Sequence, residues 1–141
     1  MINDQDREAL LRALKHEGPD VLKEADDSFK ADHELILEAV KENGMALEYA
    51  DNNLKANRDV VLAAVKQWGS ALKFADDSLK IDHEVVLEAV KQNGNALRFA
   101  NDSLKSDREF VLMAVKLDGF ALKCADEELK NDPELQRIAG E

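Results

Sequence analysis

The stretch AVKQNGNALRFANDSLK, residues 89–105, decides the fold, because the chain writes it nearly four times over. AVKENGMALEYADNNLK occupies 39–55, AVKQWGSALKFADDSLK 64–80 and AVKLDGFALKCADEELK 114–130. A looser copy, ALKHEGPDVLKEADDSFK, fills 13–30 and is one residue longer. Gly44, Gly69, Gly94 and Gly119 fall 25 residues apart, as do Ala50, Ala75, Ala100 and Ala125. A fixed period between about 20 and 50 residues marks stacked supersecondary units, each burying its face on its neighbours.

Within a unit the order is helix, turn, shorter helix, capped turn. An Asx residue opens each one (Asp6, Asp32, Asn57, Asp82, Asp107, Asp132), a residue type whose side chain accepts from an orphaned backbone amide. Glu34, Asp59, Glu84 and Glu109 follow two positions later, where the helix dipole favours negative charge. Ile36, Leu37, Ala39 and Val40, and likewise Val86, Leu87, Ala89 and Val90, make one helical face and not a strand alternation. Lys41, Lys66, Lys91 and Lys116 occupy the last turn, and the glycine after them is expected to end the helix as a left-handed cap. A second, shorter helix carries Ala46, Leu47 and Ala50 inward, with Tyr49, Phe74 or Phe99 beside them. Asp51, Asp76, Asn101 or Asp126 then caps a single turn, whose Leu54, Leu79, Leu104 or Leu129 plugs the gap before the next unit. Helices this short are marginal alone in water, so stacking must hold them. The motif recurs because one copy cannot fold.

The expected fold class is therefore all-α: a solenoid of stacked helical hairpins forming a single domain over 1–141. About five units are expected, near 6–31, 32–56, 57–81, 82–106 and 107–131, with a capping tail at 132–141. The ends depart from the pattern, as capping units should. Pro19 and Asp20 follow the first glycine, and Phe29 takes the leucine position. Pro133 suits the first turn of a helix capped by Asp132, leaving Leu135 and Ile138 to cover the end of the stack.

The repeated A-V-K-x-x-G-x-A-L-x-x-A-[DN]-x-x-L-K pattern resembles the repeats of the domain of unknown function 4116 family, over about residues 6–130. That resemblance implies a helical-repeat protein, often from intracellular bacteria or protists, with no assigned catalytic residues. It also implies action through protein contacts, including control of a bacterial effector enzyme such as a ubiquitin-modifying one.

Composition narrows the partners. Asp and Glu outnumber Lys and Arg by 30 to 19, for a net charge of −11, which repels phosphate backbones and anionic lipid. Neither nucleic acid nor membrane is an expected partner. Hydrophobic residues make up 45% of the chain but aromatics only 5%, so Leu, Val and Ala must build the core. The lone Cys124 permits no intramolecular disulfide and suits a reducing compartment. MINDQDREAL lacks the basic start and apolar run of a secretory signal, and no run approaches the roughly 18 apolar residues of a membrane span. A cytoplasmic location is expected; a leaderless protein exported into a host cell would read the same.

Candidate chemistry is thin. Asp32-His33-Glu34 and Asp82-His83-Glu84 mimic metal-ligand clusters, but helix neighbours point about 100° apart. The two histidines also lie two units, roughly 20 Å, from one another. They read as helix starts. Arg7, His33, Arg58, His83 and Arg108 form a basic ladder at helix N-termini, where a cation opposes the dipole, so pairing with a neighbouring carboxylate is expected. Ser28, Ser78 and Ser103 belong to the capped turns, and Cys124 replaces Tyr49, Phe74 and Phe99 as a small hydrophobe. The glycines are single and spaced by the repeat, unlike a phosphate-cradling loop. No catalytic residue, metal ligand or cofactor is expected. The expected function is a non-enzymatic protein-binding module. A homo-oligomeric scaffold is the first alternative, and a small hydrolase or metal-dependent enzyme the second.

Two sets of departures from the repeat suggest where contacts lie. Residues flanking the glycines are usually polar (Asn43, Ser70, Asn93, Asn95, Asp118), whereas Met45, Trp68 and Phe120 are not. These three are the candidate protein-binding residues, since exposed aromatics and Met concentrate at binding hot spots. Met113 and Leu117 replace Glu38, Ala63 and Glu88, and Glu42, Gln67 and Gln92. Such a change needs a cover, either the tail residues Leu135 and Ile138 or a homodimer contact through the C-terminal repeat.

Overall fold

The sequence period becomes two parallel layers of helices. The computed structural model describes residues 4–140, with side chains from residue 6. One layer holds the long helices α1 (Asp4–Glu17), α3 (His33–Glu42), α5 (Arg58–Gln67), α6 (His83–Gln92), α8 (Arg108–Leu117) and the shorter α10 (Pro133–Ala139). The other holds the 3-10 helices η1 (Pro19–Leu22), η2 (Gly44–Tyr49), η3 (Gly69–Phe74), η4 (Gly94–Phe99) and η5 (Gly119–Cys124). One-turn helices α2 (Asp27–Lys30), α4 (Asn52–Lys55), α7 (Asp102–Lys105) and α9 (Glu127–Lys130) carry the chain back to the long-helix layer. Residues 77–80 make the same return as a turn. Successive members of each layer pack side by side, which makes the chain an all-α repeat solenoid.

Each long helix starts where the Asx residue caps it. Asp32, Asn57, Asp82 and Asp107 accept from the amides of Leu35, Val60, Val85 and Phe110 at 3.0–3.2 Å. Asp6 is the exception, because α1 begins at Asp4 and holds Asp6 inside its first turn. Leu35, Ile36, Ala39 and Val40 of α3 are buried, as are the equivalents Val60, Val61, Ala64 and Val65 of α5. Facing them across the core stand Leu47, Leu72, Leu97 and Leu122, all with little or no exposure. Burying a side chain of this size stabilises by roughly 1.5–3 kcal/mol, so each unit contributes only in contact with its neighbours.

The second, shorter helix of each unit is a 3-10 helix, and the turn before it is not the expected left-handed glycine. Among the described residues positive φ occurs only at Gly18 and Gly140. Asn43 makes the turn in extended conformation, φ −155° and ψ 115°. Its amide closes α3 on Ala39 O at 2.9 Å, and its side chain accepts from Met45 N at 2.9 Å to open η2. One residue thus caps both helices. Gly44 is small for another reason: a Cβ there would lie 2.6 Å from the carbonyl oxygen of Ala64 in the next unit. Close approach of neighbouring units, and not backbone handedness, keeps the position glycine.

A backbone ladder runs along the opposite edge. The amides of Asp51, Asp76, Asn101 and Asp126 donate to the carbonyls of Lys30, Lys55, Lys80 and Lys105 one unit earlier, at 2.9–3.0 Å. At the last step the Gln136 side-chain amide donates to Lys130 O at 2.9 Å. Leu135 of α10 is fully buried, and Ile138 is partly buried against the same core. α10 thus packs on the last unit, against α8 and η5.

Candidate protein-binding edge

The arginines of the basic ladder at the helix starts are paired, and the partner is the cap of the following unit. Arg7 reaches Asp32, and also Glu34 at 3.4 Å. Arg58 reaches Asp82 at 2.9 Å and Glu84 at 3.1 Å, and Arg108 reaches Asp132 at 3.0 Å and Glu134 at 3.3 Å. Each guanidinium compensates for its own helix dipole by bridging two carboxylates at the next helix start. The hydrogen bond from Arg58 holds the Asp82 carboxyl below its usual range, and Arg108 does the same to Asp132. Where His83 replaces arginine, its ring instead packs on Phe110 at 4.9 Å between centroids. Arginine seams and histidine seams therefore alternate, giving the stack a double period of about two units. These side chains are occupied in holding units together.

The opposite ends of the long helices carry the candidate contact residues. Met45 and Phe120 hold the same position, directly after the glycine in η2 and η5, where Ser70 and Asn95 stand in the other units. Met45 is 38% exposed and Phe120 59% exposed. The Lys123 ammonium sits 5.0 Å from the Phe120 ring centre, leaving the rest of the ring to solvent. Trp68 is placed differently. It occupies the position of Asn43, Asn93 and Asp118, and so η3 lacks the side-chain cap those residues provide. Its indole is half-buried against the core, 6.4 Å from the Phe74 ring. Trp68 therefore packs across its own turn, and Met45 and Phe120 are the open members of the set.

Met113 and Leu117 lie on one face of α8, four residues apart. Phe110 and Val111 of the same helix are buried, whereas Met113 is 43% and Leu117 45% exposed. Leu135 and Ile138 pack against the core and leave these two side chains open, so the tail alternative for their cover is not met. Three of the five large hydrophobics exposed among the described residues thus fall between Met113 and Phe120.

Other candidates are structural. Cys124 is half-buried with its sulfur 3.6 Å from the Asn95 carbonyl, and burial pushes its thiol up, away from the reactive thiolate. Tyr49, its counterpart in an earlier unit, donates to Asp20 at 2.8 Å, which raises the phenol to about 12. Among the described residues no group of three or more His, Cys, Asp or Glu side chains could hold a metal ion. No described helix is long and apolar enough to cross a membrane.

A groove on the outer face between α3 and α5, lined by Leu37, Ala63 and Lys41, was not anticipated from the sequence. Its signal was present, since Ala63 stands between Glu38 and Glu88 in its column and Gln67 replaces the charge of Glu42 in the other.

No curated protein and no solved structure matches the chain. A family profile matches residues 6–55, 57–105 and 107–139, each match opening one residue before an arginine of the ladder and spanning up to two units. The stacked helical units and the double period carried by Arg7, Arg58 and Arg108 agree with that division, and the chain belongs to the family described as Domain of unknown function (DUF4116).

Proposed function

We propose that this chain is a non-enzymatic binding module for another protein, engaged through the edge where the long helices turn into the 3-10 layer. The observation that carries the reading is Phe120: a phenylalanine 59% exposed, at a position the repeat elsewhere gives to Ser70 and Asn95. Met45 repeats the departure three units away, about 25–30 Å at ordinary helix spacing. That span suits one partner domain contacting about 800 Å² of surface. The repeat needs neither side chain for its own core, because Ala46, Leu47, Ala121 and Leu122 already fill the inward positions. Exposed Met and Phe are residue types enriched at contact sites, where an aromatic anchor supplies much of the binding energy.

The alternative of a homo-oligomeric scaffold has its own observation, the exposed Met113 and Leu117 pair on α8. Those two side chains offer far less than the roughly 800 Å² that each partner of a stable pair contributes, and a net charge of −11 opposes self-association. The hetero-partner reading is the stronger one. Its test is capture from the native cell with the parent chain and with Phe120→Ser and Met45→Ser as baits. Substitution at these exposed sites should leave the fold intact and remove a protein that the parent retains. A captured set identical for all three baits would sink the edge as the contact site.

A further inference from the structure

The outer face of the long-helix layer is grooved between successive helices, and the grooves are not alike. Between α1 and α3 the groove is about 370 Å³, and Glu38 and Glu42 line it. Lys15 reaches Glu42 across it at 3.8 Å, so cation and anion answer one another within the chain. Between α3 and α5 the same two positions are Ala63 and Gln67, and the groove widens to about 590 Å³. Leu37, Leu62 and Ala63 give it an apolar floor. Lys41 is the equivalent of Lys15 but has lost its acid, because Gln67 stands where Glu42 would. Lys66 lines the same groove. Among the described residues neither lysine has an ion-pair partner, whereas Lys91 in the next unit is answered by Glu88 at 3.6 Å. The one carboxylate in the groove, Asp59, lies seven residues before Lys66 on α5, roughly 10 Å along the axis. Gln67 also borders the hollow beside Met45 and Trp68, so the groove runs on to the glycine edge.

We propose that this groove receives an acidic amphipathic segment of the protein partner. An aliphatic side chain of that segment rests on Leu37, Leu62 and Ala63, and its flanking carboxylates face Lys41 and Lys66. The five helices α1, α3, α5, α6 and α8 each carry a lysine in the last turn, which the dipole alone explains. What sets this groove apart is the combination of two unanswered ammonium groups with a floor cleared of glutamate. The net charge of −11 does not forbid an acidic ligand. At physiological salt charges are screened beyond about 8 Å, so the lysines in contact outweigh acids on the far edge. The inference rests on the protein-binding reading but uses other residues, and so can fail separately.

The test uses the full chain and three synthetic helical peptides of about 15 residues that share one leucine stripe. Their polar positions are filled with Glu, Gln or Lys. Titrations followed by amide chemical shifts should show the Glu peptide perturbing Lys41, Ala63, Lys66 and Gln67, binding about tenfold or more tighter than the Lys peptide, and weakening with salt. Ala63→Glu combined with Gln67→Glu copies the Glu38 and Glu42 arrangement onto α5. This pair should leave the melting temperature near the parent's and weaken the Glu peptide by about tenfold or more. Phe120→Ala should leave peptide binding unchanged, which separates this groove from the edge residue. Absence of binding by the Glu peptide overturns the proposal. So do equal affinities for all three peptides, shifts confined to other surfaces, or undiminished binding by the double variant.

Discussion

Replacing Gly44 by alanine should destabilise the protein, although the usual expectation is the reverse. Gly44 does not have positive φ. At such a site Gly→Ala ordinarily stabilises by about 0.4–1 kcal/mol, because the unfolded chain loses freedom. Here the added Cβ would stand 2.6 Å from the Ala64 oxygen and 3.0 Å from the Trp68 Cβ. A carbon–oxygen contact relaxes only at about 3.3 Å, so the second and third units must part by more than roughly half an ångström. Overpacking of this kind costs about 1–3 kcal/mol. Subtracting the entropic gain leaves a net loss of about 1–2 kcal/mol, or about 3–8 °C in melting temperature for a chain of this size. Gly94→Ala provides the comparison. Its Cβ would meet the Asp118 side chain, with Cγ at 2.7 Å, which can swing aside and forfeit its 2.9 Å bond from the Gly94 amide. The swing also gives up the 3.0 Å bond that Asp118 accepts from Phe120 N. About 2 kcal/mol of hydrogen bonding is thus set against the entropic gain, and Gly94→Ala should be less stable than the parent by about 1 kcal/mol, no more than Gly44→Ala. Gly44→Asn separates the two explanations of the glycine. A left-handed cap tolerates Asn better than Ala, whereas a crowded position tolerates it less. Thermal and urea denaturation of the variants decide the matter. If Gly44→Ala melts at or above the parent, or Gly44→Asn above Gly44→Ala, the close-approach account is wrong.

Further outcomes follow from the seams and the tail. Arg58→Ala should lower the melting temperature and reduce its dependence on salt. Because Asp82 is held below its ordinary 3.8, the stabilisation is whole above that pH and is lost as pH falls through the lowered value; the variant should lose that part of the acid limb. His83→Arg should stabilise, since Asp107 and Glu109 stand where Asp82 and Glu84 receive Arg58, and His33→Arg should gain less because its facing cap is the neutral Asn57. Tyr49 is the only tyrosine, so ultraviolet titration should give one midpoint near 12, falling toward 10 in Asp20→Ala. The sign is that of a raised acid: the bond stabilises fully below pH 10 and is lost between 10 and 12. Leu135→Ala, at a fully buried site, should cost about 2–4 kcal/mol by denaturation unless α10 frays first, in which case exchange of the α8 amides should rise.

Local chemistry was legible in the chain, and distance between units was not. Asp32, Asn57, Asp82 and Asp107 announce their helices because capping involves only the next three residues. A recurring glycine carries no such label: left-handed turn and close approach leave the same letter at the same period, and only the position of Ala64 O distinguishes them. The arginine ladder showed that carboxylate partners were needed. That these come from the following cap required the stacking order. Trp68 stood beside Met45 and Phe120 in the reading of the glycine flanks, yet it precedes the glycine where they follow it. That single-residue offset turns its ring onto Phe74 instead of into solvent. The groove between α3 and α5 escaped for a related reason. Met113 and Leu117 advertise a gained apolar surface, whereas Ala63 and Gln67 mark a site only by the charges they lack.

The most direct test of the central claim places a photo-crosslinking phenylalanine analogue at 45, at 120 and, as a control, at Asn53 on the exposed α4 turn. Each variant is irradiated in the native cell, and the adducts are identified by mass spectrometry. A protein-binding edge predicts the same partner joined at 45 and at 120, and not at 53. Adducts equal at all three positions, or confined to 53, would contradict it.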